Sequence, residues 1–124
     1  MSIVYHEKTR EFHLYNDKIS YIFQIMRNGQ LGQLYTGARL RDREDFSHLS
    51  ELGFRDMAPC VYEGDRFFSL EALRQEYPAY GTGDMRYPAY ELLRENGSRL
   101  SGFIYQSHRT SGHLCGKREG SGDP

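Results

Sequence analysis

The clearest periodicity in the chain lies in ISYIFQIMR, residues 19–27. Ile19, Tyr21, Phe23 and Ile25 recur at every second position, the period of a β-strand, while the other face (Ser20, Ile22, Gln24, Met26) mixes polar with apolar. Upstream, IVYH is a short apolar run, and EFHLY places Phe12 and Leu14 at alternate positions. Asn28-Gly29 then interrupts the pattern before LGQLYTG resumes it. Both residues tolerate positive φ, so the spacing predicts a β-hairpin closed by a two-residue type I′ turn.

From Ala38 to Phe67 the alternation stops. The segment is highly charged, punctuated by Gly53, Pro59 and Gly64, and long for a connection inside a compact domain. SLEALRQEY follows and predicts a short helix, with Ser69 as its cap, Glu71 in its first turn and Pro78 as its stop. AYELLRE and LSGFIYQSH flank Asn96-Gly97 and predict a second hairpin. From Thr110 the chain is glycine-rich, TSGHLCGKREGSGDP, and reads as a disordered or aberrant tail over 110–124. The fold class expected is all-β: a partial β-sandwich of five to seven strands, with one long irregular loop and one short helix.

Composition narrows the classes of function. The 124 residues suffice for one domain. Aromatics at 14%, with ten tyrosines and no tryptophan, give a core rich in Tyr and Phe. A mean hydropathy of -0.74 and the lack of any long apolar run speak against a membrane protein. The N-terminal MSIVYHEKTR has no long apolar segment of the signal-peptide kind, so a cytoplasmic location is expected. With a net charge of -1 and scattered basic residues, nucleic acid is not the expected partner. Cys60 and Cys115 show no metal-ligand spacing and read as free thiols.

No self-contained active site assembles from the residues. The five histidines are scattered, with no H-E-x-x-H, so neither a metal nor a cofactor is expected. Ser107 and His108 are neighbours, which in a strand sends them to opposite faces. The stretch QEYPAYGTGDMRYPAYEL carries the strongest candidates. Asp84 and Arg86 share a face if the segment is extended, and could both address a hydroxyl-rich ligand, although such pairs are more often plain surface contacts. Tyr77, Tyr80, Tyr87 and Tyr90 could stack on sugar rings or fill a core or an interface.

The order of these motifs resembles the N-terminal segment of bacterial α-galactosidases of glycoside hydrolase family 36. The resemblance is carried by FHLYNDKISYIFQIMRNGQLGQLYTG, then FFSLEALRQEYPAYGTGDMRYPAYEL, then NGSRLSGFIYQSHR, and covers Ile3 to about Arg109. It implies that residues 3–109 are part of a large N-terminal β-sandwich domain, which in the family precedes a (β/α)8 barrel and a small C-terminal sheet domain. It also implies retaining hydrolysis of melibiose- and raffinose-type α-galactosides in carbohydrate catabolism, which needs two carboxylates. In the family both are Asp residues of the barrel, whose motifs do not occur here, so no catalytic residue is carried over and the chain is expected to be inactive alone.

Family members that tetramerise extend this domain towards a neighbouring subunit's active site. By that resemblance Arg55, Asp56, Asp65 and Arg66 are the substrate-proximal candidates, whereas Tyr80, Asp84 and Arg86 are binding-loop candidates on their residue chemistry alone. The partners implied are α-galactosides, reached through the full-length enzyme, and further copies of it. The tail departs from the family, which continues past YQSHR with a G-K-P-type turn and more strands. A frameshift near Thr110 would give that departure, as would a natural stop. The alternative expectation is a stand-alone carbohydrate-binding β-sandwich module.

Overall fold

The computed structural model describes residues 1–50, 63–65, 67–70, 73–80 and 87–111. Four strands form one antiparallel sheet: β1 (Ser2–His6), β2 (Glu11–Tyr15), β3 (Ile19–Ile25) and β4 (Leu31–Ala38), in the spatial order β1-β2-β3-β4. The register pairs Tyr5 with Phe12 and Phe12 with Phe23, so the alternating aromatics of three strands line up across one face. Phe12 and Phe23 stack at 4.7 Å, and Tyr5 and Tyr21 extend the row on either side. The class is all-β, as the alternation requires.

The opposite face holds the main core. Ile22, Leu34 and Phe46 are fully buried together, with Tyr35, Leu40 and Leu49 packed around them. Leu34 reaches this cluster through a β-bulge. Ile22 pairs with Tyr35 and Phe23 with Gln33, which leaves Leu34 as the extra residue of β4. Phe46, Leu40 and Leu49 belong to the segment after β4, which folds back over the sheet and contains a 3-10 turn, Ser47–Leu49. Part of the irregular excursion is thus the second layer of the core.

The first hairpin forms where Asn28-Gly29 predicts it, with a different turn. The Gly29 N–H donates to the Met26 carbonyl and the Met26 N–H to the Gln30 carbonyl, enclosing a three-residue loop. Gly29 alone takes positive φ, +88. Asn28 instead accepts the Gln30 N–H with its side-chain oxygen, which favours this loop over the type I′ geometry.

The helix expected from Ser69 is absent among the described residues of that segment. Gln75 forms a bridge with Gly32, the Gln33 N–H donates to the Arg74 carbonyl, and the Glu76 N–H donates to the Leu31 carbonyl. These bonds place 74–76 along the outer edge of β4. Phe68, Leu70 and Leu73 bury against Met26 at the same place. Glycine at position 32 makes the approach possible: a Cβ there would lie 2.7 Å from the Met26 sulfur and 3.3 Å from the Arg74 carbonyl oxygen. Burial of three apolar side chains and an edge hydrogen-bond ladder outweigh local helix propensity.

At Asn96-Gly97 the turn is present but its flanks are not strands. The Gly97 N–H donates to the Arg94 carbonyl, and Gly97 has φ +82. Leu93, Phe103 and Ile104 remain exposed, so the apolar pattern read as strand has no ladder to join among the described residues. Beyond it, residues 101–108 cross the aromatic face. The Tyr105 N–H donates to the Gly29 carbonyl at 2.6 Å, and the His108 ring lies 4.4 Å from Tyr5 and 4.7 Å from Phe12.

Candidate functional site

The polar residues of the core face converge on a site that their scatter in the sequence conceals. β1, β2 and β3 place His6, His13 and Ser20 on the same side of the sheet, and Asp42 is brought over them by the segment after β4. His13 donates from Nδ1 to the Asp42 carboxylate at 2.8 Å, and its Nε2 accepts from the Ser20 hydroxyl at 2.9 Å. A carboxylate only accepts, which fixes the Nδ1 proton. The same Asp42 oxygen takes a second hydrogen bond from His6 Nε2 at 2.9 Å. Ser20 Oγ in turn accepts the Leu40 N–H at 2.9 Å.

Hydroxyl, imidazole and carboxylate thus stand in the order of a nucleophile relay. Access decides against that chemistry, because Ser20 and His13 are completely buried and the Ser20 oxygen is occupied by the Leu40 amide. No substrate atom can reach Oγ. What the arrangement does is anchor: it ties residues 40–42 to strands β1, β2 and β3. The signal for it was the shared face of Glu11, His13 and Ser20 on adjacent strands, visible only once the β2–β3 register is known.

A second anchor lies alongside. Glu11 is buried, and its carboxylate accepts the Phe46 N–H at 2.8 Å, while Thr9 donates to the Glu44 carbonyl at 3.3 Å. Burial pushes the Glu11 carboxyl above the ordinary range, the Phe46 amide offsetting only part of this and Asp45 adding to it. The charged form is therefore disfavoured by folding. Its contribution to stability is fully present in acid and is lost as pH rises through the raised folded value. Glu11→Gln keeps an acceptor for the Phe46 amide without the buried charge. It is expected to raise the urea midpoint at neutral pH, and this gain should vanish at acidic pH.

Asp42 behaves in the opposite sense. Burial works upward on its carboxyl, but the hydrogen bonds from His13 and His6 outweigh it and hold the group below its usual range. Burial also raises the Tyr21 phenol, helped by its hydrogen bond to Glu76. Both effects belong to packing of the sheet's two faces.

Of the seven substrate-proximal and binding-loop candidates, two are described. Asp65 is ion-paired with Arg27 at the tip of the β3–β4 hairpin, and its carboxylate accepts the Phe67 N–H at 3.0 Å. It shapes the turn leading to Phe68. Tyr80 is 53% exposed, and no hydrogen bond or ring contact joins it to Asp65. Arg55, Asp56, Arg66, Asp84 and Arg86 lie outside the described residues, as do residues 112–124 of the tail. Tyr77 and Tyr87 are exposed as well, whereas Tyr90 is half-buried with its ring 5.1 Å from Phe103. Among the described residues no helix is long and apolar enough to cross a membrane.

A four-stranded meander with an irregular layer anchored by an internal polar relay defines an all-β domain. Comparison with known proteins carries the assignment further. Residues 29–124 match the model of the glycosyl hydrolase family 36 N-terminal domain. The chain belongs to that family, of which it carries the N-terminal domain. It is 42% identical over 109 residues to the α-galactosidase AgaA of Geobacillus stearothermophilus, covering 88% of this chain and 15% of that protein. The crystal structure of the α-galactosidase AgaB from the same organism superposes with a TM-score of 0.73 at 41% identity, covering 88% of this chain and 14% of that one. An AgaA variant in complex with raffinose superposes at 0.69 with 41% identity, over 80% and 14% of the respective chains. The chain therefore spans about one seventh of the length of the relatives it matches.

Proposed function

We propose that the chain serves as the non-catalytic N-terminal portion of an α-galactosidase acting on melibiose- and raffinose-type α-galactosides. The observation that carries this is the 42% identity over 88% of the chain to an α-galactosidase of which it spans only 15%. The relative crystallised with raffinose supports the substrate class. Retaining hydrolysis needs two carboxylates roughly 5 Å apart flanking a sugar. Here the buried Glu11 and the partly shielded Asp42 are both committed to holding the segment after β4. In this reading the catalytic pair belongs to the remainder of the enzyme. Asp65, Tyr80 and the neighbouring loops approach the galactoside from outside it, in an assembly of several copies.

Purified alone, the chain is expected to show no turnover of an aryl α-galactoside. Co-expressed with an AgaA variant lacking only the N-terminal residues that match this chain, it is expected to restore soluble, active enzyme. Turnover by the isolated chain would overturn the proposal, and so would failure to rescue by a chain that circular dichroism shows to be folded.

The exposed rings of Tyr77, Tyr80 and Tyr87 favour one further reading, a carbohydrate-binding module able to act alone. Calorimetric titration of the folded chain with raffinose separates the two. Saturable binding supports the module, and its absence leaves the enzyme-domain reading.

A further inference from the structure

The chain contains two Asn-Gly pairs, and the fold sets both in the same kind of loop. At Asn28-Gly29 the Met26 N–H donates to the Gln30 carbonyl and the Gly29 N–H to the Met26 carbonyl. At Asn96-Gly97 the Arg94 N–H donates to the Ser98 carbonyl and the Gly97 N–H to the Arg94 carbonyl. Each glycine has positive φ. Each asparagine accepts with Oδ1 the N–H two residues on, from Gln30 at 3.1 Å and from Ser98 at 3.0 Å. The surroundings differ. Asn28 is half-buried, and its Nδ2 donates to Gln30 Oε1 at 2.7 Å. The Gly29 carbonyl accepts the Tyr105 N–H, and a Cβ on Gly29 would meet Ile104 at 3.1 Å. Asn96 and Gly97 are exposed. Among the described residues nothing accepts from Asn96 Nδ2, and a Cβ on Gly97 would meet no atom within 4 Å.

We propose that Asn96 is a site of spontaneous covalent modification, losing its side-chain amide through a cyclic imide with Gly97, and that the fold protects Asn28 from the same reaction. The Gly97 backbone nitrogen gives up its proton and bonds to Asn96 Cγ. The Cγ–Nδ2 bond breaks, and Nδ2 leaves as ammonia with a proton gained in exchange. Water then opens the ring: addition at Cγ yields aspartate, and addition at the backbone carbonyl carbon yields isoaspartate. Glycine suits the step because it has no Cβ to shield its nitrogen. The Ser98 N–H on Oδ1 polarises the carbonyl that is attacked. Both loops share these features, so the difference lies in reaching the reactive geometry. Asn96 has only to turn its exposed amide and release the Gly97–Arg94 hydrogen bond. Asn28 must also break its bond to Gln30 Oε1, inside a loop held by residues 104 and 105. The isoaspartyl product inserts a backbone carbon between Arg94 and Ser98 and sets a charge beside Glu95, which loosens the closure of the loop.

Peptide mass mapping of the full 124-residue chain, held folded in mildly alkaline buffer, tests this. Asn96 is expected to lose its amide about tenfold faster than Asn28, the factor that one additional hydrogen bond to break would impose. Isoaspartate is expected at position 96, where a protein isoaspartate methyltransferase labels it. In urea the two sites should react at similar rates, since each then reads Asn-Gly without a fold around it. Equal rates in the folded chain overturn the proposal, as does an Asn96 that stays intact while Asn28 reacts. A preference for Asn96 that persists undiminished in urea overturns it too, because local sequence rather than the loop's surroundings would set the rate. So does aspartate without isoaspartate at position 96, because direct hydrolysis by water leaves no isoaspartyl product.

Discussion

Phe46→Ala is expected to destabilise the domain by about 3–5 kcal/mol, the range for deleting a buried aromatic side chain from a core. Phe46 is 1% exposed and comes from outside the sheet, yet it closes the cluster over Ile22 and Leu34. Its ring meets His13 edge-on at 5.2 Å, and its amide is the donor that Glu11 accepts. Removing the ring leaves a cavity over Ile22 and loosens the polar anchors beside it. Set against a typical domain stability of roughly 5–15 kcal/mol, the loss is a large fraction of the whole. Urea unfolding followed by tyrosine fluorescence measures it, the chain having ten tyrosines and no tryptophan. An unchanged midpoint would mean that the segment after β4 does not pack on the sheet.

His13→Ala carries the second-largest expected effect, a loss of about 3 kcal/mol, combining a buried cavity with orphaned hydrogen-bond partners. Without the imidazole, Ser20 loses the acceptor for its proton and Asp42 loses one of its two donors. The cost should depend on pH. The Asp42 carboxyl is held below its usual range by His13 and His6, so that stabilisation is in place above the unfolded carboxylate pKa. It is lost as pH falls through the lower folded value. The gap between the unmodified chain and His13→Ala should therefore narrow in acid. A gap independent of pH would show that His13 acts through its volume alone. Because His13 and Phe46 touch, the two substitutions combined should cost less than their sum.

Much of the sheet was legible in the sequence. Period-2 alternation in ISYIFQI specified β3, and its polar mixed face marked the side on which Ser20 and Ile22 would meet other residues. Asn28-Gly29 located the hairpin, because few dipeptides tolerate the backbone a tight loop demands. The motifs of family 36 were also readable in order. The type of the hairpin loop was not, because a side-chain bond from Asn28 to the Gln30 amide settles it. The helix predicted after Ser69 failed for a similar reason. Its apolar residues fit helical spacing, but Phe68, Leu70 and Leu73 gain more by covering Met26 while 74–76 pair with β4.

The histidine relay shows most plainly where sequence reasoning stops. His6, His13, Ser20 and Asp42 span thirty-seven positions with no motif spacing, and the site exists only through the two registers that join β1, β2 and β3 and the return of the chain over them. By itself the sequence determined an antiparallel all-β domain, the position of its central hairpin and the family to which it belongs. These follow from short-range periodicity, turn chemistry and motif order. The tertiary structure alone decided which face became the core, that a charged, aperiodic segment would be its second layer, and that residues 74–76 would cover the outer edge of β4. Each of those depends on contacts between residues distant in the chain, whose energies no local pattern records.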